Sequence, residues 1–148
     1  MECTSKDAER SIEETGLIVS FPWRIPGLDY EEYILTALAP ESPFYFLRST
    51  TEPQVGLILV NPFTAYSEYE FDLDNEVTDQ LKITDEKQVV VLCTVNTSRG
   101  IESATVNLLA PIVVNTRDLL AKQVILNDKR YSLQTPLVLK PAEERGNV

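Results

Sequence analysis

Residues 61–74 read Asn61-Pro62-Phe63-Thr64-Ala65-Tyr66-Ser67-Glu68-Tyr69-Glu70-Phe71-Asp72-Leu73-Asp74. From Glu68 onward the stretch alternates. Glu68, Glu70, Asp72 and Asp74 share one parity, and Tyr69, Phe71 and Leu73 share the other. Successive side chains of a strand point to opposite faces, so the pattern predicts a strand whose apolar face fills a barrel core. Its outer face is then a row of four carboxylates, each roughly 7 Å from the next. Like charges in a row repel, and such a row calls for plain solvent or for a basic partner.

Short β-rich runs spread outward from this stretch in both directions. Residues 16–21, 33–38, 44–49 and 55–60 precede it. Residues 88–96, 103–109 and 112–115 follow, and 123–126 with 130–135 flank Asn127-Asp128-Lys129 as a hairpin. The 55–60 run is apolar on both parities, which predicts a central strand covered on both faces. The 88–96 run, rich in valine, predicts the most buried strand. Residues 74–81 form the one helical segment, with Asp74 as N-cap, Glu76 in the first turn, and Val77 and Leu81 facing the core. Asn107, Pro111 and Asn115 break and re-aim a strand, the asparagines capping local backbone groups. Trp23, between two prolines, is a packed loop aromatic or a lid over one end of the core. Eight to ten short strands with one short helix predict a mainly β, single-domain, antiparallel β-barrel-like fold. The expected organisation is a flexible leader over 1–11, the barrel domain over 12–140 and a flexible tail over 141–148.

At 148 residues and 43% hydrophobic, the chain can bury a core without disulfides or metals. Acids outnumber bases 23 to 13, a formal net charge of −10 that opposes binding to a phosphate backbone and favours basic partners. The chain has no histidine, which removes Ser-His-Asp and Cys-His catalysis and histidine-ligated metal sites. Of two cysteines, Cys93 lies in an apolar run and is expected to be a buried free thiol, which suits a reducing cytoplasm. No apolar run approaches the ~20 residues of a spanning helix, so no membrane segment is expected.

Catalytic and cofactor chemistry finds little support. Asp72, Asp74 and Glu76 alternate as calcium ligands do, but Val77 and Ile83 stand where a calcium loop needs glycine and glutamate. The carboxylates sit at polar positions, and a paired-acid hydrolase needs one of them in an apolar pocket. No glycine-rich phosphate loop is present. The expectation is a protein that is not an enzyme and needs neither cofactor nor metal. Aromatics inside a charged rim are how protein interfaces are built. The expected partner-binding set is therefore Phe63, Tyr66, Glu68, Glu70, Asp72 and Asp74. The alternative is a β-barrel enclosing a small ligand in a cavity of at least ~300 Å³.

The chain resembles the FliW family of bacterial flagellar assembly factors. The resemblance rests on Phe21-Pro22 with Ile25-Pro26-Gly27, on Ser42-Pro43-Phe44 with Leu47-Arg48-Ser49, and on Val60-Asn61-Pro62-Phe63 with Tyr69-Glu70-Phe71. It continues through residues 105–111 with Asn115 and residues 122–126 with Tyr131. The chain departs from the family pattern at Arg24, where glycine is usual, and at Leu28, where an aromatic is usual. The resemblance implies a non-catalytic partner switch in the cytoplasm. Such a protein binds the basic RNA-binding regulator CsrA, relieving its repression of flagellin synthesis, and binds flagellin as the competing partner. Direct contact with nucleic acid is not implied.

Overall fold

In a computed structural model of the chain, which describes residue 12 and residues 16–137, the β-rich runs form nine strands of one sheet. The strands are β1 (Leu17–Ser20), β2 (Glu32–Ala37), β3 (Phe44–Ser49), β4 (Gly56–Val60), β5 (Val89–Asn96), β6 (Thr105–Val106), β7 (Ile112–Asn115), β8 (Leu120–Gln123) and β9 (Thr135–Pro136). Seven of them close into a barrel in the order β1-β2-β3-β4-β5-β7-β8, and β8 returns to β1. The closing contact is a single parallel pair, Ser20 with Leu120. The expected leader and tail, with Cys3, lie outside the described residues; Ile12, where the barrel domain was expected to begin, is buried in the core.

The barrel interior is filled by one parity of every closing strand. Val19, Tyr33, Leu35, Tyr45, Leu47, Leu59, Val90, Leu92, Ile112, Val114 and Ala121 meet there, with Ile12, Phe21 and Ile25. At about 25 cal/mol per Å² of apolar surface, this cluster is a large stabilising term. The interior that the ligand-binding alternative requires is thus occupied by side chains.

β5 holds the largest number of buried residues of any strand, five of its eight, because its second parity is also covered, although β7 beside it is buried at all four positions. Val89, Val91 and Cys93 point outward, where they meet residues of 61–83 and 108–137. β4 is covered on both faces only at its end: Leu59 and Val60 are buried, whereas Ile58 is half-buried.

β6 and β7 follow one another along the same edge of β5. Leu92 pairs with Ile112 and Val95 with Val106, so six steps on one side, 112 to 106, oppose three on the other, 92 to 95. The excess loops out at Asn107, whose Oδ1 accepts from the N–H groups of Leu109 and Ala110 at 3.1 and 3.0 Å. The interrupted strand with its asparagine cap therefore agrees with the sequence.

Three expectations are corrected. First, residues 69–74 pair with no strand. Their alternation is real in burial, with Tyr69 and Leu73 inside and Glu70, Asp72 and Asp74 exposed. They lie outside the barrel against β5, though, rather than in its wall. An extended segment crossing a sheet face alternates like a strand but cannot share a ladder with strands it crosses. Second, among the described residues two short helices follow β4 where one was expected: α1 (Pro62–Ala65) and α2 (Asn75–Gln80). Asn61 caps α1, its Oδ1 accepting from the Phe63 N–H, with Pro62 at the first helical position. Asn-Pro ends β4 by starting a helix. Asp74 caps α2, accepting from the Val77 N–H at 3.0 Å, as expected. Third, the hairpin around Asn127-Asp128-Lys129 does not form. β8 ends at Gln123, residues 124–134 are irregular, and β9 pairs with β6. Trp23 is a loop aromatic, 43% exposed, with the Lys122 ammonium 5.1 Å from its ring. Among the described residues no helix is long and apolar enough to cross a membrane.

Gly56 lies opposite Arg48 where β3 and β4 approach closely. A Cβ there would stand 2.8 Å from the Leu47 carbonyl oxygen, which is backbone and cannot swing away. Gly56→Ala should therefore lower stability by about 1–3 kcal/mol, read as a lower midpoint in urea denaturation.

Candidate functional site

The cover over β5 comes in two pieces, residues 61–83 and 124–137, and their seam is held by tyrosines. The Tyr131 hydroxyl donates to the Glu70 carbonyl at 2.9 Å and accepts from the Glu70 N–H at 3.0 Å. One phenol thus satisfies both backbone groups of a residue that has no ladder. The Tyr69 hydroxyl donates to the Leu108 carbonyl and the Tyr66 hydroxyl to the Pro136 carbonyl, each at 2.7 Å. The rings stack behind these bonds. Tyr69 meets Tyr131 edge-on at 4.7 Å and lies 5.5 Å from both Phe63 and Phe71. Such pairs contribute about 0.5–1.5 kcal/mol each beyond their area.

Along this seam runs an open cleft of about 710 Å³. Its apolar lining includes Phe63, Tyr69, Phe71 and Leu126, and its charged lining is Glu70, Asp72, Asp128 and Arg130. Three carboxylates thus face one guanidinium. Arg130 pairs with Asp128 at 2.8 Å and more loosely with Glu70 at 3.5 Å, tying one piece of the cover to the other. The Arg130 hydrogen bonds hold the Asp128 carboxyl below its ordinary value of 3.8, and Asp128 in turn raises Arg130.

Of the residues expected to bind a partner, the structure brings Phe63, Glu70 and Asp72 into this cleft. Glu68 is exposed beside it but not in its lining. Tyr66 is half-buried behind it, in the apolar cluster around Val60 and Cys93. Asp74 lies beyond, occupied as the cap of α2. Sequence reasoning missed Leu126, Asp128 and Arg130, because it assigned them to a hairpin sixty residues from Glu70. The available signal was Tyr131, which stands next to Arg130 and appears in the family pattern.

Beneath the cleft, burial pushes the Cys93 thiol up to about 12, a hydrogen bond with Tyr69 opposing it in part. Burial, with a smaller contribution from Cys93, pushes the Tyr66 phenol up to about 12 as well. Neither group is suited to be a nucleophile near neutral pH. Cys93 is a free cysteine.

The chain has known relatives. The sequence model of a family described as "FliW protein" matches residues 3–137. A protein named flagellar assembly factor FliW from Bacillus pumilus (strain SAFR-032) is 40% identical over 129 residues, spanning 86% of this chain and 89% of its own. One of the same name from Bacillus subtilis (strain 168) is 36% identical over 135 residues, spanning 90% and 94%. Among solved structures, a crystal structure of the flagellar assembly factor FliW superposes with a TM-score of 0.74 at 37% identity, covering 82% of this chain and 85% of that one.

Two measurements probe the seam. Tyr131→Phe removes the hydroxyl that serves both Glu70 backbone groups and should lower stability by about 1–3 kcal/mol in urea denaturation. Alkaline pH tests the buried cluster. The folded values near 12 lie above the ordinary 10.0 of Tyr66 and 9.0 of Cys93, so folding favours their protonated forms. That stability is complete below pH 9 and is lost as pH rises from there through 12. The expected result is a Tm that falls across this window and falls less steeply in the Cys93→Ala, Tyr66→Phe double variant.

Proposed function

Because the chain belongs to the FliW family, we propose that it is a flagellar assembly factor that acts by binding other proteins rather than by catalysis. Its proposed partners are the translational regulator CsrA, whose repression of flagellin synthesis it relieves, and flagellin, which competes for it. The proposed location is the cytoplasm, where both partners are made. One observation carries the reading: an open cleft presents three carboxylates against a single arginine, next to Phe63 and Phe71. A basic, RNA-binding regulator carries the complementary charge, and the net −10 of the chain steers it toward such a partner.

The cleft gives the acidic surface different members from those that parity suggests. Glu70 and Asp72 are its proposed contacts on one side and Asp128 on the other, with Phe63 as the aromatic anchor. Glu68 lies close enough to extend the same field. Tyr66 supports the surface from behind, and Asp74 serves α2.

The test is Glu70→Lys with Asp72→Lys, titrated with CsrA by calorimetry at low and high salt. Affinity should fall about tenfold, and its salt dependence should flatten. Unchanged affinity in a double variant that keeps its circular dichroism spectrum overturns the assignment of this surface.

A further inference from the structure

The acidic cleft contains its own cation, and the two carboxylates that hold it do so unequally. Arg130 and Asp128 belong to one segment. The Asp128 carboxylate accepts from the Arg130 backbone N–H at 3.0 Å, from Nε at 3.1 and 3.2 Å and from Nη2 at 2.8 Å. The Tyr131 ring lies 5.1 Å from the guanidinium carbon. A guanidinium forked onto a carboxylate and set against an aromatic ring is a strong, oriented pair. Toward Glu70, by contrast, Nη1 reaches one oxygen at 3.5 Å, the limit of a hydrogen bond. The Glu70 side chain is 76% exposed. Its backbone does not depend on Arg130, because the Tyr131 hydroxyl serves both its N–H and its carbonyl. Glu70 can therefore turn its carboxylate away from Arg130 while its Cα stays in place.

We propose, resting on the reading of the cleft as a surface for a basic partner, that Arg130 is its specificity-determining residue: an internal cation that must give up Glu70 before a partner's basic side chain can take it. An incoming cation breaks the weaker of the two Arg130 pairs and leaves the Asp128 pair intact. Asp128 meets the partner as half of that pair. Arg130, held there, then faces the incoming cation as a like charge. Both effects oppose any single cation, and a repulsive element of this kind is how a surface rejects weak competitors. A partner that presents several cations at once gains Glu70 and Asp72 together and overcomes it. In the free chain Glu70 is shared with Arg130, so the arrangement that binds is only partly populated, and apparent affinity is lowered by that fraction.

Arg130 also ties one piece of the cover to the other, and the two roles predict opposite signs. Loss of a tie loosens the surface and weakens binding. Loss of an internal competitor tightens it.

The test compares Arg130→Gln with Lys129→Gln in the full chain, by calorimetry at low and high salt, with hexa-arginine and separately with CsrA. Lys129 is exposed and outside the cleft lining, so its substitution changes net charge equally without touching Glu70. Arg130 is 58% exposed, and its variant should keep the wild-type circular dichroism spectrum. Arg130→Gln should bind both probes about threefold more tightly or better, with a steeper salt dependence, and Lys129→Gln should fall well short of that. Adding Glu70→Gln to Arg130→Gln should remove the gain. Arg130→Gln binding hexa-arginine no more tightly than Lys129→Gln does, or keeping its gain without Glu70, overturns the proposal. So does hexa-arginine that binds none of these proteins. If CsrA alone fails to bind, the partner reading falls, and the hexa-arginine titrations decide the role of Arg130 by themselves.

Discussion

Asn115 ties the barrel to its cover. It is fully buried, and its amide is engaged at both ends. Oδ1 accepts from the N–H groups of Arg117 and Asp118 at 2.9 and 3.1 Å and from Gln88 Nε2 at 3.4 Å. Nδ2 donates to the carbonyls of Leu81 and Lys82 and to Asp118. The first set shapes the turn that brings Leu119, at φ 60, to where its carbonyl accepts from the Ser20 N–H and closes the barrel. The second set holds the residues just after α2, where the cover ends. Gln88 extends the knot, its Oε1 accepting from Thr84 and Asp85. Irregular backbone buried against a barrel wall needs partners for its polar groups, and two side-chain amides supply them.

The cover exists because β5 is apolar on both faces. One face fills the barrel, and the other would leave Val89, Val91 and Cys93 in water without residues 61–83 and 124–137 above them. Residues 61–83 share no ladder with the sheet, and residues 124–137 share one only at β9. Tyrosines do the holding instead, each burying a ring and spending its hydroxyl on a backbone group of another segment. The cleft is a consequence of this construction. Where two cover segments meet without a ladder, their charged parities are left facing each other across open space. A core strand that needs two-sided burial thereby leaves an open, charged cleft at the seam of its cover.

Two concavities of the outer surface differ in chemistry, the acidic cleft and an apolar groove lined by Phe46, Ile58 and Val95. The acidic cleft is stiffened by Tyr131 and by the Arg130 pairs, and exposed ion pairs of this kind set orientation and encounter rate more than they set affinity. The apolar groove on β3, β4 and β5 offers the opposite, area without charge.

Local sequence determined much of this. Short β-rich runs bounded by turn residues located the barrel strands from β1 to β5 and β7 to within a residue or two, Asp74 announced α2, and the valine run of β5 announced its burial. Alternation in 68–74 correctly sorted which side chains face in and which face out. What alternation could not decide was what the segment faces. A strand in a barrel wall and a strap lying across one share a period of two, and only the location of its hydrogen-bond partners separates them. Those partners, Tyr131 for Glu70 and Leu108 for Tyr69, lie 61 and 39 residues away. For the same reason the sequence could name Phe63, Glu70 and Asp72 but not Asp128 and Arg130. The acids are written in one stretch, whereas the cleft is made only when the chain folds a second stretch against it.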